Sequence, residues 1–272
     1  MIAIGGSSLP SFASLGVAAI TFPNDDIAAQ VSGSSRGQGK FFQFYGSNHA
    51  AGAMMAWAWG VSRLIDALET TSAAGIDTKR LGVTGCSRNG KGALVAGAFD
   101  ERIALTIPQE SGSGGAASWR VSDAQKNAGA NIQTLGEITG ENVWFEASFS
   151  QFNSAATRLP FDHHMVEGLV APRALLVIEN NIDWLGPVST TNNSMAAHLI
   201  WQALGIPDKM GFSLVGGHNH CAFPASQMPE VQAYVTKFLV GNGTASTAVL
   251  KNDQNIAFDT ATWVDWTTPT LQ

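Results

Sequence analysis

The segment Leu81–Lys91 (LGVTGCSRNGK) places a serine where an apolar, partly β-branched run meets a helix-compatible stretch. A strand that turns sharply into a helix exposes the residue at the bend, where the hydroxyl of Ser87 could attack an ester or amide. Gly85 and Gly90 permit the tight backbone that such a turn requires. In the usual pattern the second glycine comes two places after the serine, but here Asn89 stands there. The pattern fits a nucleophile elbow and fits a plain strand-to-helix turn equally well.

A serine hydroxyl needs a histidine that takes its proton and an acid that holds the histidine in the right tautomer. His220 lies in the loop after an apolar run over residues 210–215, and Glu110 follows a short apolar strand over residues 103–107. If these runs are strands of one parallel sheet, all three side chains lie at the same rim. The order serine, acid, histidine is that of the α/β-hydrolases.

The identity of the acid stays open at this point. Asp183 follows the next predicted strand, which is the more usual place for the acid, and Glu179 is a third candidate. Glu110 lies between a proline and a glycine-rich turn that constrain its backbone. Each of these carboxylates could instead be a plain surface charge.

The residues after Ser87 suggest how a substrate would be held. The backbone N–H of Arg88 is the expected oxyanion donor, and its guanidinium could add a charged one. Lys91 lies one helical turn further and could reach a sugar hydroxyl, although it could equally lie on a solvated helix face. Trp184, after a late strand, is placed to stack on a sugar.

The chain has two cysteines, and each is a neighbour of a candidate catalytic residue. Cys86 precedes the serine and Cys221 follows the histidine, so a bridge between them would hold the serine and the histidine together. Such a bridge would stabilise the folded chain by about 5 kcal/mol, because it lowers the entropy of the unfolded chain. It would also indicate an oxidising compartment. Two buried free thiols are the alternative.

Strand-like and helical runs alternate along the chain, which favours a mainly parallel sheet with helices on both faces. A helix is predicted over residues 49–69, with Asn48 as its cap. Further helices are predicted over residues 193–204 and 229–240. Residues 111–168 form a long irregular excursion that indicates a functional insertion. The polar tail after residue 243 is expected to wrap the surface.

Length and composition exclude several classes of protein. The 272 residues fit one large α/β domain or at most two small ones, and the 45% of hydrophobic residues is enough for a full core. The net charge of −6 argues against a nucleic-acid partner, and no run approaches the length of a membrane span. No signal peptide is visible at the start.

Three short motifs carry weaker signals. The run Asp162–His164 resembles a metal cluster, but adjacent side chains point apart, so no metal site is expected. The sequons at Asn192 and Asn242 are acceptor patterns for N-glycosylation.

Several longer motifs together resemble the fungal branch of the glucuronoyl esterases, carbohydrate esterase family 15. The resemblance covers most of the chain, from about residue 4 to residue 239, and the motifs occur in one order. They are Asn24–Gln30, Tyr45–His49, Gly85–Lys91, Pro108–Gly112, Leu159–His164 and Asn219–Pro224.

The resemblance implies an α/β-hydrolase three-layer sandwich that hydrolyses the ester between 4-O-methyl-D-glucuronic acid of glucuronoxylan and lignin alcohols. It implies that Ser87 is the nucleophile, His220 the base, Glu110 the acid and Arg88 an oxyanion stabiliser. Cys86 and Cys221 match the bridge of the family. The positions that match sugar-binding residues of the family are Lys91, Gln133, Glu141 and Trp184.

It also implies a secreted, glycosylated, monomeric enzyme with no cofactor and no metal, formed by residues 1–272 as a single catalytic domain. The chain departs from the family at its start, since the family has a signal peptide and further strands before this point. The sequence is therefore expected to be truncated. Ser118 stands where the family has a cysteine of a further disulfide, and Ser194 is the expected position of its partner.

Overall fold

A computed structural model describes residues 1–271 and contains seven strands in that range. They are β1 (Ile2–Ile4), β2 (Ile20–Phe22), β3 (Leu81–Cys86), β4 (Ile103–Gln109), β5 (Ala174–Glu179), β6 (Met210–Leu214) and β7 (Leu250–Asn252). All pair in parallel, in the order β2-β1-β3-β4-β5-β6-β7. The predicted parallel sheet is confirmed.

Helices connect these strands, as expected for parallel pairing. The α-helices are α1 (Asn24–Ile27), α2 (Lys40–Tyr45), α3 (Ala53–Thr70), α4 (Arg88–Phe99), α5 (Trp119–Asn127), α6 (Leu135–Glu141), α7 (His163–Gly168), α8 (Pro187–Ala203), α9 (Met228–Val235) and α10 (Thr260–Trp263). Short 3₁₀ helices lie at Ala13–Leu15, Gly33–Ser35, Ser72–Ala74, Ala147–Phe152, Ala156–Arg158, Asp183–Leu185, Pro207–Lys209 and Ala225–Gln227, and a π-helical turn at Thr236–Val240 follows α9. None of the helices between residues 1 and 271 is long and apolar enough to span a membrane.

The sheet is covered by helices on both faces, which makes three layers. Successive residues of β5 alternate between the two faces, as the pleat of a strand requires. Leu176 packs with Val231 and Tyr234 of α9, whereas Leu175 packs with Trp201 of α8. All of these side chains are buried. Because both faces of β5 are covered, its sequence is a nearly continuous apolar run.

The register of the central strands brings their carboxyl ends to one level. Cys86 at the end of β3 pairs with Gln109 of β4, and Gln109 pairs with Ile178 near the end of β5. The residues that follow these ends, Ser87 and Glu110, therefore lie side by side at the rim where ligands of open α/β sheets bind.

The first long helix begins later than the sequence predicts, and the predicted cap at Asn48 is wrong. α3 begins at Ala53, and Gly52 precedes it without a side-chain cap. The backbone N–H groups of Ala53 and Met54 donate instead to the carbonyls of Val143 and Trp144, at 2.9 and 3.2 Å. Carbonyl groups from residues 111–168 thus accept the first N–H groups of α3. A capping rule based on neighbouring residues does not predict such distant partners.

Helix α8 begins at Pro187, six residues before the predicted start. Its first turns are polar but buried, so the apolar spacing that predicts a helix is missing there. Asn192 is one of these buried residues at 2% exposure, and its sequon is therefore closed to glycosylation in the folded chain. Asn242, in the second sequon, is exposed.

The polar tail contributes β7, which the sequence analysis missed. β7 has three residues and pairs with β6 at the edge of the sheet. Two of the three are Lys251 and Asn252, so it lacks the apolar pattern that identifies a strand.

Candidate active site

Ser87 lies in a strained turn between β3 and α4. Its backbone has φ 61° and ψ −127°, which non-glycine residues rarely adopt. A Cβ at position 85 would lie 2.4 Å from the carbonyl oxygen of Asn89, and one at position 90 would lie 2.6 Å from that of Gln109. Both positions therefore require glycine. The second of them is residue 90, one place later than in the usual motif. The shifted motif is thus compatible with an elbow.

The side chains of His220 and Glu110 form a direct pair. The distance between Nδ1 of His220 and Oε2 of Glu110 is 2.8 Å. The same Oε2 accepts the backbone N–H of Cys221 at 2.9 Å and the side-chain amide of Asn180 at 3.3 Å. Gln109 donates to Oε1 at 3.1 Å. The carboxyl group is thus fixed from four sides and orients the imidazole.

Glu110 is suited to the charged state. It is 1% exposed, and this burial alone would raise its pKa. The hydrogen bonds from His220, Cys221 and Gln109 outweigh the burial, and the pKa lies below its usual range. An ionised carboxylate at this position is able to stabilise a protonated imidazole beside it.

The two other candidate acids do not contact the histidine in the same way. Asp183 is exposed and lies in a 3₁₀ helix after β5. Glu179 ends β5, is fully buried and accepts the backbone N–H of Asn180 at 3.2 Å. Burial and the nearby charge of Glu110 raise the pKa of Glu179 to about 8.

A cavity of about 250 Å³ opens beside the elbow. It brings together every residue that the sequence analysis assigned to catalysis or sugar binding except the buried Glu110, which lies behind His220. It also contains Ile138 and Trp144, which the sequence analysis did not select. The predicted residues that line it are Ser87, Arg88, Lys91, Gln133, Glu141, Trp184 and His220.

Contacts between the lining residues hold the cavity in shape. The amide of Gln133 donates to Glu141 at 3.1 Å, and its backbone N–H donates to the carbonyl of Trp184 at 3.2 Å. The ring of Trp184 meets His220 edge-on, with centroids 4.9 Å apart. Both Arg88 and Lys91 lie over the ring of Trp144, at 5.6 and 5.8 Å. The cavity thus combines two cations with aromatic faces and hydrogen-bonding groups.

Lys91 is the most unusual charged group of the cavity. It is 4% exposed, and its Nζ donates to the carbonyl of Ser111 at 2.6 Å. Burial lowers its pKa to about 8, although Glu141 and Glu179 partly oppose the shift. The side chain is therefore still charged at pH 7 and loses its charge in a range that experiments can reach.

Arg88 is exposed and is the first residue of α4. Its backbone N–H lies in the first turn, where the helix offers no carbonyl to accept it. This N–H follows the elbow directly, where an oxyanion donor is needed. The arrangement of hydroxyl, imidazole, carboxylate and N–H donor is that required for acyl transfer through a serine.

The two cysteines form a disulfide, with 5.8 Å between their Cα atoms. The free-thiol alternative is therefore wrong. The bond joins the residue before Ser87 to the residue after His220. It links the loops after β3 and β6, which β4 and β5 separate in the sheet.

Loss of this bond is expected to destabilise the fold. The double substitution Cys86→Ser and Cys221→Ser should lower the free energy of unfolding by about 2–5 kcal/mol, because the bond closes a long loop in the unfolded chain. Urea unfolding followed by circular dichroism would measure this loss. An unchanged midpoint and slope would show that the bond contributes nothing to stability.

Known proteins similar to this chain were found by sequence. The family described as "Glucuronyl esterase, fungi" matches residues 1–205. A 4-O-methyl-glucuronoyl methylesterase of Hypocrea jecorina is 58% identical over 271 residues, which cover 100% of this chain and 58% of that protein. One from Cerrena unicolor is 52% identical over 274 residues, covering 100% of this chain and 57% of that protein. The chain thus spans little more than half the length of these relatives.

Solved structures give the same result. The glucuronoyl esterase catalytic domain of Hypocrea jecorina matches with a TM-score of 0.96 and 58% identity, over 100% of this chain and 74% of that one. A serine-to-alanine mutant of the glucuronoyl esterase of Sporotrichum thermophile, in complex with methyl 4-O-methyl-beta-D-glucopyranuronate, matches with a TM-score of 0.95 and 55% identity. That match covers 100% of this chain and 73% of the mutant chain. The fold described above is the α/β-hydrolase fold of these proteins.

Proposed function

The chain belongs to the fungal glucuronyl esterase family, and from this premise we propose that it is a serine esterase acting on esters of 4-O-methyl-D-glucuronic acid. The natural substrate is the ester that joins this uronic acid of glucuronoxylan to lignin alcohols. The observation that carries the proposal is the pairing of His220 with the buried carboxylate of Glu110 beside the cavity that Ser87 lines.

In the proposed reaction, Oγ of Ser87 attacks the ester carbonyl carbon while the imidazole of His220 takes its proton. The backbone N–H and the guanidinium of Arg88 stabilise the oxyanion that forms. The bond to the alcohol then breaks, and His220 returns the proton to the alcohol oxygen. Water next attacks the acyl-serine and gives a proton to the histidine; the acyl–oxygen bond to Ser87 then breaks, His220 returns the proton to Oγ of Ser87, and the uronic acid is released. Glu110 stays ionised and holds the imidazole throughout.

The residues that line the cavity favour a uronate as the acyl group of the substrate. A hydroxyl-rich uronate presents many oxygens, and Lys91, Gln133 and Glu141 offer one cation, one amide and one carboxylate around the same space. Trp184 supplies an aromatic face next to His220. The complex of a related esterase with methyl 4-O-methyl-beta-D-glucopyranuronate supports this choice.

We also propose that the chain is a single catalytic domain that works as a secreted monomer. The strands that precede Ser87, Glu110 and His220 belong to one sheet. The disulfide beside the site supports secretion, because such bonds persist in oxidising compartments. The exposed Asn242 is the proposed glycosylation position.

Hydrolysis of three esters tests this function against other esterase activities. We expect kcat/KM for benzyl D-glucuronate to exceed that for methyl ferulate and for 4-nitrophenyl acetate. A higher value for the feruloyl or the acetyl ester would favour one of those activities instead. A cooperative thermal melt without turnover of any ester would favour an inactive, carbohydrate-binding protein.

Replacing Lys91 with methionine is expected to raise KM for benzyl glucuronate by at least about tenfold, because a charged hydrogen bond to the sugar is lost. In the wild type, KM should rise as pH passes the lysine pKa of about 8, since the ammonium loses its proton there. In Lys91→Met this rise should disappear. An equal rise in both proteins would show that another group causes it.

A further inference from the structure

A second cavity, of about 490 Å³, lies between α5, α7, α8 and the C-terminal tail. We call it the tail cavity and define it by Arg120, His164, Asn193, Asp265 and Trp266, which all line it. It is about twice as large as the cavity beside Ser87. None of the residues assigned to the proposed esterase reaction lines it.

The tail that forms one wall is anchored to the body of the protein. The backbone N–H of Asp259 donates to the side-chain oxygen of Asn192 at 2.9 Å, and the Asp259 carboxylate accepts the N–H of Thr262 at 3.1 Å. Further along, the N–H of Leu271 donates to the carbonyl of Ala203 at 3.0 Å. The tail cavity is therefore largely preformed, as small-molecule sites usually are.

An aromatic face is exposed at this wall. The indole of Trp266 stacks on the imidazole of His164, with centroids 5.8 Å apart and planes at 17°. Trp266 is nevertheless 41% exposed. An exposed, oriented indole suits a ligand with one apolar face and polar edges.

The polar groups of the tail cavity divide into occupied and available ones. The carboxylate of Asp162 accepts hydrogen bonds from Ser118, Trp119, Arg120 and His163, and it also forms an ion pair with Arg120. This carboxylate is therefore fully used by the protein. The available group is the exposed carboxylate of Asp265. Among residues 1–271 the amide oxygen of Asn193 also makes no hydrogen bond, but it is buried and closed to a ligand.

These groups favour a neutral ligand. The charge of Arg120 is balanced by Asp162, so nothing remains to attract an anion. Burial lowers the pKa of His164, so its ring is uncharged at pH 7 and offers one donor and one acceptor. A metal ion is disfavoured because the best carboxylate is already occupied by backbone and side-chain donors.

We propose that the tail cavity is a second carbohydrate site, which binds neutral pyranose units of the polysaccharide that carries the ester. Pyranose rings combine an apolar C–H face, which fits the Trp266 indole, with hydroxyl edges, which fit Asp265 and His164. The choice of polysaccharide rests on the proposed function. The presence of a second sugar site does not, because it depends on the tail cavity alone.

The position of the tail cavity is compatible with one polymer serving both sites. Helix α8 begins at Pro187, three residues after Trp184 of the cavity beside Ser87. Asn192, which lines the tail cavity, lies five residues further, an axial rise of about 7–8 Å.

Calorimetric titration of the full chain with xylotetraose tests the proposal, because this probe has no ester. We expect binding with a Kd of about 1 mM, unchanged by saturating D-glucuronate, which has no ester to hydrolyse. Trp266→Ala should raise this Kd by at least about tenfold, whereas Phe44→Ala, which removes a ring that is 76% exposed outside the tail cavity, should bind like the wild type. Circular dichroism melts of each protein check that it is folded.

Two further variants keep the test decisive if Trp266→Ala does not fold. His164→Ala removes the support of the indole and should also weaken binding, and His164→Phe should restore most of it. The proposal is overturned if the wild type shows no binding at about ten times the expected Kd, if D-glucuronate displaces xylotetraose, or if the folded variants bind like the wild type. Failure of the proposed esterase function would instead appear as no turnover of benzyl glucuronate.

Discussion

Replacing Ser87 with alanine is expected to lower kcat for benzyl glucuronate by about 10⁴–10⁶-fold, because removing the nucleophile of a catalytic triad leaves only binding and oxyanion stabilisation. KM should change little, since the hydroxyl is small and the sugar contacts remain. The elbow should persist, because its geometry depends on Gly85 and Gly90 rather than on the hydroxyl. Release of benzyl alcohol measures the rates.

Ser72→Ala provides a matched control for the loss of a serine hydroxyl. Ser72 is exposed in the 3₁₀ helix after α3 and lies outside the site, so this variant should hydrolyse the ester at the wild-type rate. If folded Ser87→Ala retained more than about a tenth of the wild-type kcat, a serine nucleophile at position 87 would be excluded.

The second large effect is expected from Glu110→Gln, which should lower kcat by about 10⁴-fold. The amide has nearly the same shape but is uncharged, and it can present an N–H where His220 needs an acceptor. The imidazole would then be held in the wrong tautomer. In the wild type the pKa of Glu110 lies below its usual range, so the share of the activity that depends on the ionised carboxylate should be lost only as the pH falls through that lowered pKa.

Asp183→Asn makes the same chemical change at the exposed alternative acid. We expect it to lower kcat by less than about tenfold, because Asp183 does not form the pair with His220. Should Asp183→Asn lose more activity than Glu110→Gln, the acid would have been assigned to the wrong strand. Measuring both variants at one pH, with thermal melts, separates the two assignments.

Much of this site follows from local sequence rules. Ser87, Glu110 and His220 were selected because each follows a predicted strand, and parallel strands bring such residues to one rim. The structure places the first two after the adjacent strands β3 and β4. Local rules could not choose between Glu110 and Asp183, since both follow strands. The choice depends on the register and on where the loop after β6 returns, which are long-range properties.

The residues that the sequence analysis missed are fixed by contacts between distant segments. Trp144 lies within residues 111–168, where the prediction of an irregular excursion is wrong because α5, α6 and α7 form there. Its indole donates to the side chain of Gln30 at 2.7 Å, which holds it against the cavity. Asn180, directly after β5, donates to the carboxylate of Glu110. An asparagine directly after a buried strand was the available signal for Asn180, but the aperiodic stretch around Trp144 gave none. Tertiary packing rather than propensity decides both positions.

The most direct test of the central claim is to label the folded chain with a fluorophosphonate and to locate the adduct by peptide mass spectrometry. We expect one adduct, on Ser87, formed more slowly in His220→Ala. Methyl glucuronate should protect this serine, because it fills the cavity formed with Lys91 and Trp184, and xylotetraose should not. An adduct on another residue, or labelling of Ser87 that methyl glucuronate does not slow, would contradict the assignment of this site to glucuronate esters.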